Sequence, residues 1–173
     1  MLRFFRGVAA GFALTLSVIL FWGATSHAGE AGFTARVTHV IDGDTVVLEG
    51  GETVRYIGID TPEARRRKGG RWIEEPQPFA RQATQANRRL VEGHTVRLAF
   101  DRETRDRFGR TLAYVYREGL FVNGELVRAG LARARAFPPN LRHQKLLESA
   151  EQEARERGRG LWKNQPSPAT QGP

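Results

Sequence analysis

FTARVTHVIDGDTVVLEGGETVRYIGID, residues 33–60, is the stretch whose reading decides the fold. Val, Ile, Thr and Tyr suit a pleated, half-buried surface, and they fill three runs, about Thr34–Val40, Thr45–Leu48 and Thr53–Ile59. The joints are Asp42-Gly43 and Gly50-Gly51, both hairpin signals between β-branched runs. Three consecutive short strands are therefore predicted. The first joint also carries Asp44, and Asp60-Thr61-Pro62-Glu63 closes the stretch. These acids are either turn formers only or groups that converge on something.

Working outward, TPEARRRKGGRWIEEPQ (residues 61–77) is polar and basic, with Pro62 and Pro76 near its ends, and reads as a loop. Phe79, Ala83, Ala86 and Leu90 recur at helical spacing, predicting an amphipathic helix with a solvated Arg/Gln/Asn face. HTVRLAF (94–100) and TLAYVYR (111–117) alternate as strands, joined by the charged DRETRDRFGR. A short helix follows in VNGELVRAGLA, with Asn123 as N-cap and Gly130 as stop. After the break FPPN, a last helix spans about Leu141–Arg157 with Leu146, Leu147, Ala150 and Ala154 on one face. The order is three strands, helix, two strands, helix, helix. Five short strands with a helix after the third suggest an α+β fold, a small five-stranded OB-type β-barrel with three helices.

The ends differ from this domain. Arg3 and Arg6 precede the apolar run Gly7–Trp22, and Ser26-His27-Ala28 offers small residues for cleavage. Residues 1–28 read as a signal peptide, and the alternative is an uncleaved anchor through residues 7–22. Either exports the domain, to the periplasm or beyond. The run is short for a span, which needs ~20 apolar residues. Residues 29–163 form the domain, and 164–173 are a Pro/Ser/Gln-rich tail expected to be disordered.

Of the chain's net charge of +8, the leader carries two arginines and no acid, so the exported part keeps +6. That excess suits a polyanion: nucleic acid, an acidic glycan or an anionic membrane surface. With no Cys, disulfides, thiolate catalysis and Cys-based zinc sites are excluded. The His residues show no metal-ligand spacing, so the only metal class favoured is an oxygen-liking ion.

Antiparallel pairing of the second and third strands brings Asp44 and Asp60 to one sheet edge. With a backbone carbonyl and waters, they make a partial calcium- or magnesium-type site. Otherwise Asp42 and Asp44 are turn formers and Asp60 opens an Asx-turn before Thr61-Pro62, and for Asp42 the turn-former reading is the simpler one. Glu63, three residues past Asp60, is either an exposed loop acid or a proton acceptor beside the ion. Arg55 and Arg110 are either solvated charges or the planar, permanently charged groups that bind a phosphate in bidentate fashion. Arg55 and Asp60, five apart, fall on opposite faces of a regular strand unless its end twists or bulges.

IDGDTVVL, VRYIGIDTPE, DRFGRTLAYV, VNGELVRAGLA and GRGLW together resemble the staphylococcal-nuclease (thermonuclease) family, in order and at matching separations over about Thr34–Trp162. The resemblance implies an OB-barrel phosphodiesterase that cuts DNA or RNA to 3′-phosphate and 5′-hydroxyl ends. It implies Asp44, Asp60 and the Thr61 carbonyl as ligands of one Ca²⁺. It further implies Glu63 as general base or water-orienting group, and Arg55 and Arg110 as the pair that grips the scissile phosphate. Where the family's prototype has pocket tyrosines, this chain has LARARAFPPN, with Phe137 its only aromatic. The loop ARRRKGGRWIEE is also the chain's own. Arg65, Arg66, Arg67, Lys68 and Arg71 suit a phosphate backbone and Trp72 suits a base, unless this is only a solvated basic loop. A monomer without an obligatory protein partner is expected. The alternatives are a non-catalytic nucleic-acid-binding OB module and a basic domain that binds cell-surface polyanions. Neither explains all five site residues.

Overall fold

The computed structural model describes residues 31–163, so the leader and tail expectations lie outside the described residues. The opening stretch forms β1 (Gly32–Val40), β2 (Thr45–Leu48) and β3 (Thr53–Tyr56), and Ile59–Asp60 is a separate two-residue strand, β4. Arg65–Lys68 and Arg71–Glu74 follow as β5 and β6, then helix α1 (Ala80–Val91). Next come β7 (Thr95–Ala99), β8 (Thr111–Arg117), β9 (Leu120–Phe121) and α2 (Val122–Arg128). Strand β10 (Arg133–Ala134), α3 (Gln144–Glu156) and a 3₁₀ turn at Gly160–Trp162 complete the domain.

The barrel closes through five strands. β1 serves two walls: residues 32–36 pair with β7 and residues 37–40 with β2, with an irregular register between Val37 and His39. Such a bulge bends a strand, as a small closed barrel requires. β2 pairs with β3 and β7 with β8, both antiparallel. Closure is the parallel pairing of β3 with β8, Val54 opposite Thr111 and Arg55 opposite Leu112. The strand apolar positions fill the interior, with Val37, Val40, Val46, Val54, Leu98 and Val115 inaccessible to solvent. The five-stranded OB-type barrel with three helices is the observed architecture.

Several local expectations are corrected. The basic loop contains a hairpin, β5 with β6, turned by Gly69-Gly70, whose φ angles of 57° and 79° only glycine adopts freely. Polarity hid it, because no apolar face alternates along Arg-Arg-Arg-Lys. Asn123 lies inside α2 and does not cap it. Its amide accepts the Val115 N–H at 2.9 Å and donates to the Ile57 carbonyl at 2.8 Å, tying helix to barrel. The α1 stripe is rotated one residue, with Ala80, Ala83, Asn87 and Val91 buried. Leu146 is 48% exposed while Leu147, Ala150 and Ala154 are buried, and α3 begins at Gln144. Among the described residues no helix is long and apolar enough to cross a membrane.

Candidate active site

The predicted third strand breaks after Tyr56, and that break builds the site. Gly58 has φ 78°, and a Cβ there would collide with the Leu147 side chain. The chain turns out of β3 and resumes as β4, which cancels the two-face problem of odd spacing. Arg55 and Asp60 consequently meet, Nη2 to Oδ1 at 3.2 Å. The other arm of the fork reaches the buried Asp44, Nη1 to Oδ2 at 2.7 Å. One guanidinium therefore bridges both acids.

Asp44 is fixed from every side. Its own carbonyl accepts the Tyr56 N–H at 2.9 Å, so the β2–β3 hairpin sets its place. Oδ2 accepts both the Thr61 N–H and the Thr61 hydroxyl at 2.9 Å, and Oδ1 accepts the Thr45 hydroxyl at 3.1 Å. Gly43 makes room: a Cβ there would lie 2.7 Å from the Thr61 side chain. Asp42 is the turn former, its Oδ1 accepting the Asp44 N–H at 3.1 Å. Burial pushes the Asp44 carboxyl up to about 7 against the pull of Arg55 and the Thr61 hydrogen bonds, with Asp42 adding to the rise.

Arg110 sits one residue before the Val54–Thr111 register pair, so barrel closure delivers it to the end of the barrel that bears Arg55. Asp106 holds it, accepting Nε at 2.7 Å and the Arg110 backbone N–H at 3.0 Å. Burial opposes charge on Asp106, but these bonds and one from the Phe108 N–H outweigh it and keep that carboxyl below its ordinary range. The Arg110 Nη groups carry no hydrogen bond among the described residues.

Arg55, Asp60, Glu63 and Arg110 line one cleft of about 710 Å³. Glu63 is exposed at its rim and anchored through its backbone: its N–H donates to Gln77 Oε1 at 3.0 Å, and its carbonyl accepts the Gln77 N–H at 2.9 Å. Partial burial of the carboxyl in the cleft raises its pKa. Asp42 and Asp60 add to the rise, and Arg55 and Arg110 oppose it. A carboxylate moved toward neutrality is a better proton acceptor.

The structure thus brings together Asp44, Arg55, Asp60 and Thr61, with Glu63 and Arg110 in the same cleft. Arg65, Arg66, Arg67, Lys68, Arg71 and Trp72 form the hairpin that starts two residues after Glu63. The Asp44 and Asp60 donors fit a hard divalent ion: both are carboxylate oxygens, and both already reach one shared cationic group, Arg55. Among the described residues no three His, Cys, Asp or Glu side chains gather around one point, so backbone carbonyl and water would complete the shell.

Three contributors escaped the sequence. Asn87, wholly buried, accepts the Tyr56 hydroxyl at 2.9 Å and donates to the Asp42 carbonyl at 3.1 Å, clamping the acidic turn to α1. Its signal was a polar residue on the Ala80, Ala83, Val91 face. Asp106 had one too, in its i, i+4 spacing to Arg110. Arg135, whose Nη1 lies 3.4 Å from Asp60 Oδ2, sits in the alternating Arg run before Phe137.

The staphylococcal nuclease homologue family matches residues 53–164. The thermonuclease of Staphylococcus hyicus is 35% identical over 142 residues, 80% of each chain. That of Staphylococcus intermedius is 38% identical over 134 residues, 76% of this chain and 77% of the relative. Endonuclease YncB of Bacillus subtilis is 36% identical over 145 residues, 80% of this chain and 66% of the relative. With the closed barrel, the bridged acid pair and these matches, the chain belongs to the staphylococcal nuclease family, a family of phosphodiester hydrolases.

Proposed function

We propose that this nuclease is an exported, calcium-dependent phosphodiesterase that hydrolyses DNA or RNA to 3′-phosphate and 5′-hydroxyl products. The observation that carries the reading is the cleft lined by Arg55, Asp60, Glu63 and Arg110, in which Arg55 ties Asp60 to the buried Asp44. Two thermonucleases and an endonuclease among its relatives support it.

Asp44, Asp60 and the Thr61 carbonyl would hold the ion. When bound, it supplies Lewis-acid polarisation of a phosphoryl oxygen and orientation of a water. Glu63 accepts the proton of the attacking water as its oxygen bonds to phosphorus. Arg55 and Arg110 then offset the charge that gathers on the equatorial oxygens as the bond to the leaving 5′ oxygen breaks. Asp106 keeps the Arg110 fork pre-aimed, so little reorganisation is needed at the moment of reaction. The hairpin of β5 and β6 extends the substrate path with four cationic residues in β5, Arg65, Arg66, Arg67 and Lys68, and Arg71 and Trp72 in β6. Export rests on the leader-like residues 1–28, and a monomer needs no residue from a second copy.

The test is an oligonucleotide labelled at either end, incubated with calcium, magnesium or chelator, beside Glu63→Gln. Cutting that requires calcium, leaves 3′-phosphate ends and falls ~10²–10⁴-fold in the variant is expected. The exposed, backbone-held position of Glu63 keeps the fold intact, so circular dichroism should not change. Binding without cutting under every ion would make the chain a non-catalytic OB module instead.

A further inference from the structure

Besides Arg55 and Arg110, the cleft is lined by Arg105, Arg107 and Arg135, none of which this mechanism uses, and of these Arg135 is the one that reaches Asp60. Arg135 follows β10, and its N–H donates to the Gly58 carbonyl at 2.9 Å, so the glycine break that brings Arg55 to Asp60 also fixes this residue. Its side chain lines the same cleft as Arg55, Glu63 and Arg110, with the guanidinium carbon 5.7 Å from the Phe137 ring centroid.

The two arginines that reach Asp60 are held very differently. Arg55 is 15% exposed and also paired at 2.7 Å with the buried Asp44. Arg135 is 62% exposed, and its ion pair among the described residues is to the outer oxygen of a 37% exposed carboxylate, at 3.4 Å. An ion pair that long and wet is screened and readily exchanged, whereas the Arg55 bridge is not. A fork held by its backbone at the cleft wall, yet loosely engaged by its counter-ion, is suited to an incoming phosphate. The scissile phosphate already has Arg55 and Arg110. The acceptor left for Arg135 is a neighbouring phosphate of the same strand.

We infer that Arg135 is a substrate-positioning residue that exchanges Asp60 for the phosphodiester flanking the scissile one, and so favours polynucleotide over isolated ester. The inference rests on the nuclease reading above. It adds no step to the chemistry, because Arg135 orients the chain and Glu63, Arg55 and Arg110 remain the reacting set.

The test replaces each linkage flanking the scissile phosphate, in turn, by a neutral methylphosphonate, in wild type, Arg135→Ala and Arg135→Lys. Affinity is read by fluorescence anisotropy in a Glu63→Gln background with calcium present, so binding is scored without turnover. KM and kcat are read in the parent background. At one of the two linkages, neutralisation should weaken wild-type binding and raise its KM about tenfold, while Arg135→Ala, already weaker, changes less than about twofold. The salt dependence of the variant should be shallower by about 0.7 in log–log slope, the share of one single-strand phosphate. Arg135→Lys should recover part of the loss, which a purely structural role would not produce. Equal losses in wild type and Arg135→Ala at both linkages would overturn the inference, as would a kcat defect with KM unchanged. Failure of the parent enzyme to cut any oligonucleotide is the separate result that would remove the nuclease reading.

Discussion

Arg55 and Arg110 present the same chemical group to the same cleft, and they are built in opposite ways. Arg55 depends on distant parts of the chain. It lies on β3, binds Asp44 before β2, reaches Asp60 on β4 and donates to the Tyr56 carbonyl at 3.3 Å. Arg110 depends on its own turn. Asp106 takes its Nε and its N–H, Gly109 with φ 81° closes the turn back to the Asp106 carbonyl, and Phe108 packs beside the guanidinium at 5.6 Å. One arginine is part of the barrel's architecture, and the other is a cassette placed at the mouth of β8. The difference teaches that one side of the cleft is built by the fold at large and the other by a single turn, so substitutions should separate activity from folding on the Arg110 side and not on the Arg55 side.

The largest expected effect is on the Arg55 side. Arg55→Ala should lower kcat by about 10²–10³-fold, the cost of losing one pre-aimed charge donor, and should destabilise the fold as well. Breaking a buried pair costs several kcal/mol when the charge left behind has no escape, but Asp44 can take up a proton. A fall of about 1–3 kcal/mol in chemical denaturation is therefore expected, together with weaker stability above neutral pH than below it. Arg55→Lys should rescue the charge and little else, because an ammonium cannot span two carboxylates as a fork does. An Arg55→Ala protein with unaltered stability would show that the bridge is not structural.

Arg110→Ala should match the activity loss of about 10²–10³-fold and leave stability within about 0.5 kcal/mol, the usual range for a surface change. Asp106→Asn sharpens the comparison further, since it keeps the size of the side chain and removes the charge-assisted bond at 2.7 Å. The Arg110 fork loses its preset aim, and about a tenfold drop in kcat without a KM change is expected for partial misplacement. Denaturation curves and kinetics on the same samples decide both. If Arg110→Ala unfolds as readily as Arg55→Ala, the distinction fails.

The same division explains what the sequence made legible. Local signals carried the first two hairpins: Asp-Gly at 42–43 and Gly50-Gly51 placed their turns, alternation gave β8 as Thr111–Arg117, and Gly130 ended α2, while the hold of Asp106 on Arg110 went unread. Resemblance to a family supplied the site residues. Spacing alone left Arg55 and Asp60 on opposite faces, because periodicity does not mark the break at Gly58, where φ is 78° and the Leu147 side chain leaves no room for a Cβ. Asn87 and Asn123 were hidden for a related reason. Their amides are buried by satisfying backbone and hydroxyl groups from remote strands, and helical periodicity counts them as solvated or capping residues. The hairpin of β5 and β6 escaped because its two strands lack an apolar face, so no periodic pattern marked it. Arg135 was one cation among many until Asp60 gave it a neighbour.

The smallest expected effect is a proton. Burial pushes the Asp44 carboxyl from 3.8 up to about 7, while hydrogen bonds from its own turn outweigh burial at Asp106 and hold that group low. The two sides should therefore answer acid in opposite senses. For Asp44 in metal-free protein, the folded state keeps a proton that the unfolded chain gives up near 3.8. Its stabilising contribution is complete below about pH 4 and is lost as pH rises through about 7. For Asp106 the contribution is present above the unfolded carboxylate range and fades only as pH falls through its lowered folded value. A cation that needs ionised Asp44 must displace that proton, so affinity should fall up to tenfold for each pH unit below about 7 and level off above it. Calorimetric titrations with calcium between pH 5.5 and 7.5, in buffers of different ionisation enthalpy, count the proton directly. Release approaching one proton near pH 6, absent in Asp44→Asn, is expected. Flat affinity with no release would mean that Arg55 and Thr61 keep Asp44 charged throughout, and the barrel side would then be set by its ion pair and not by its burial.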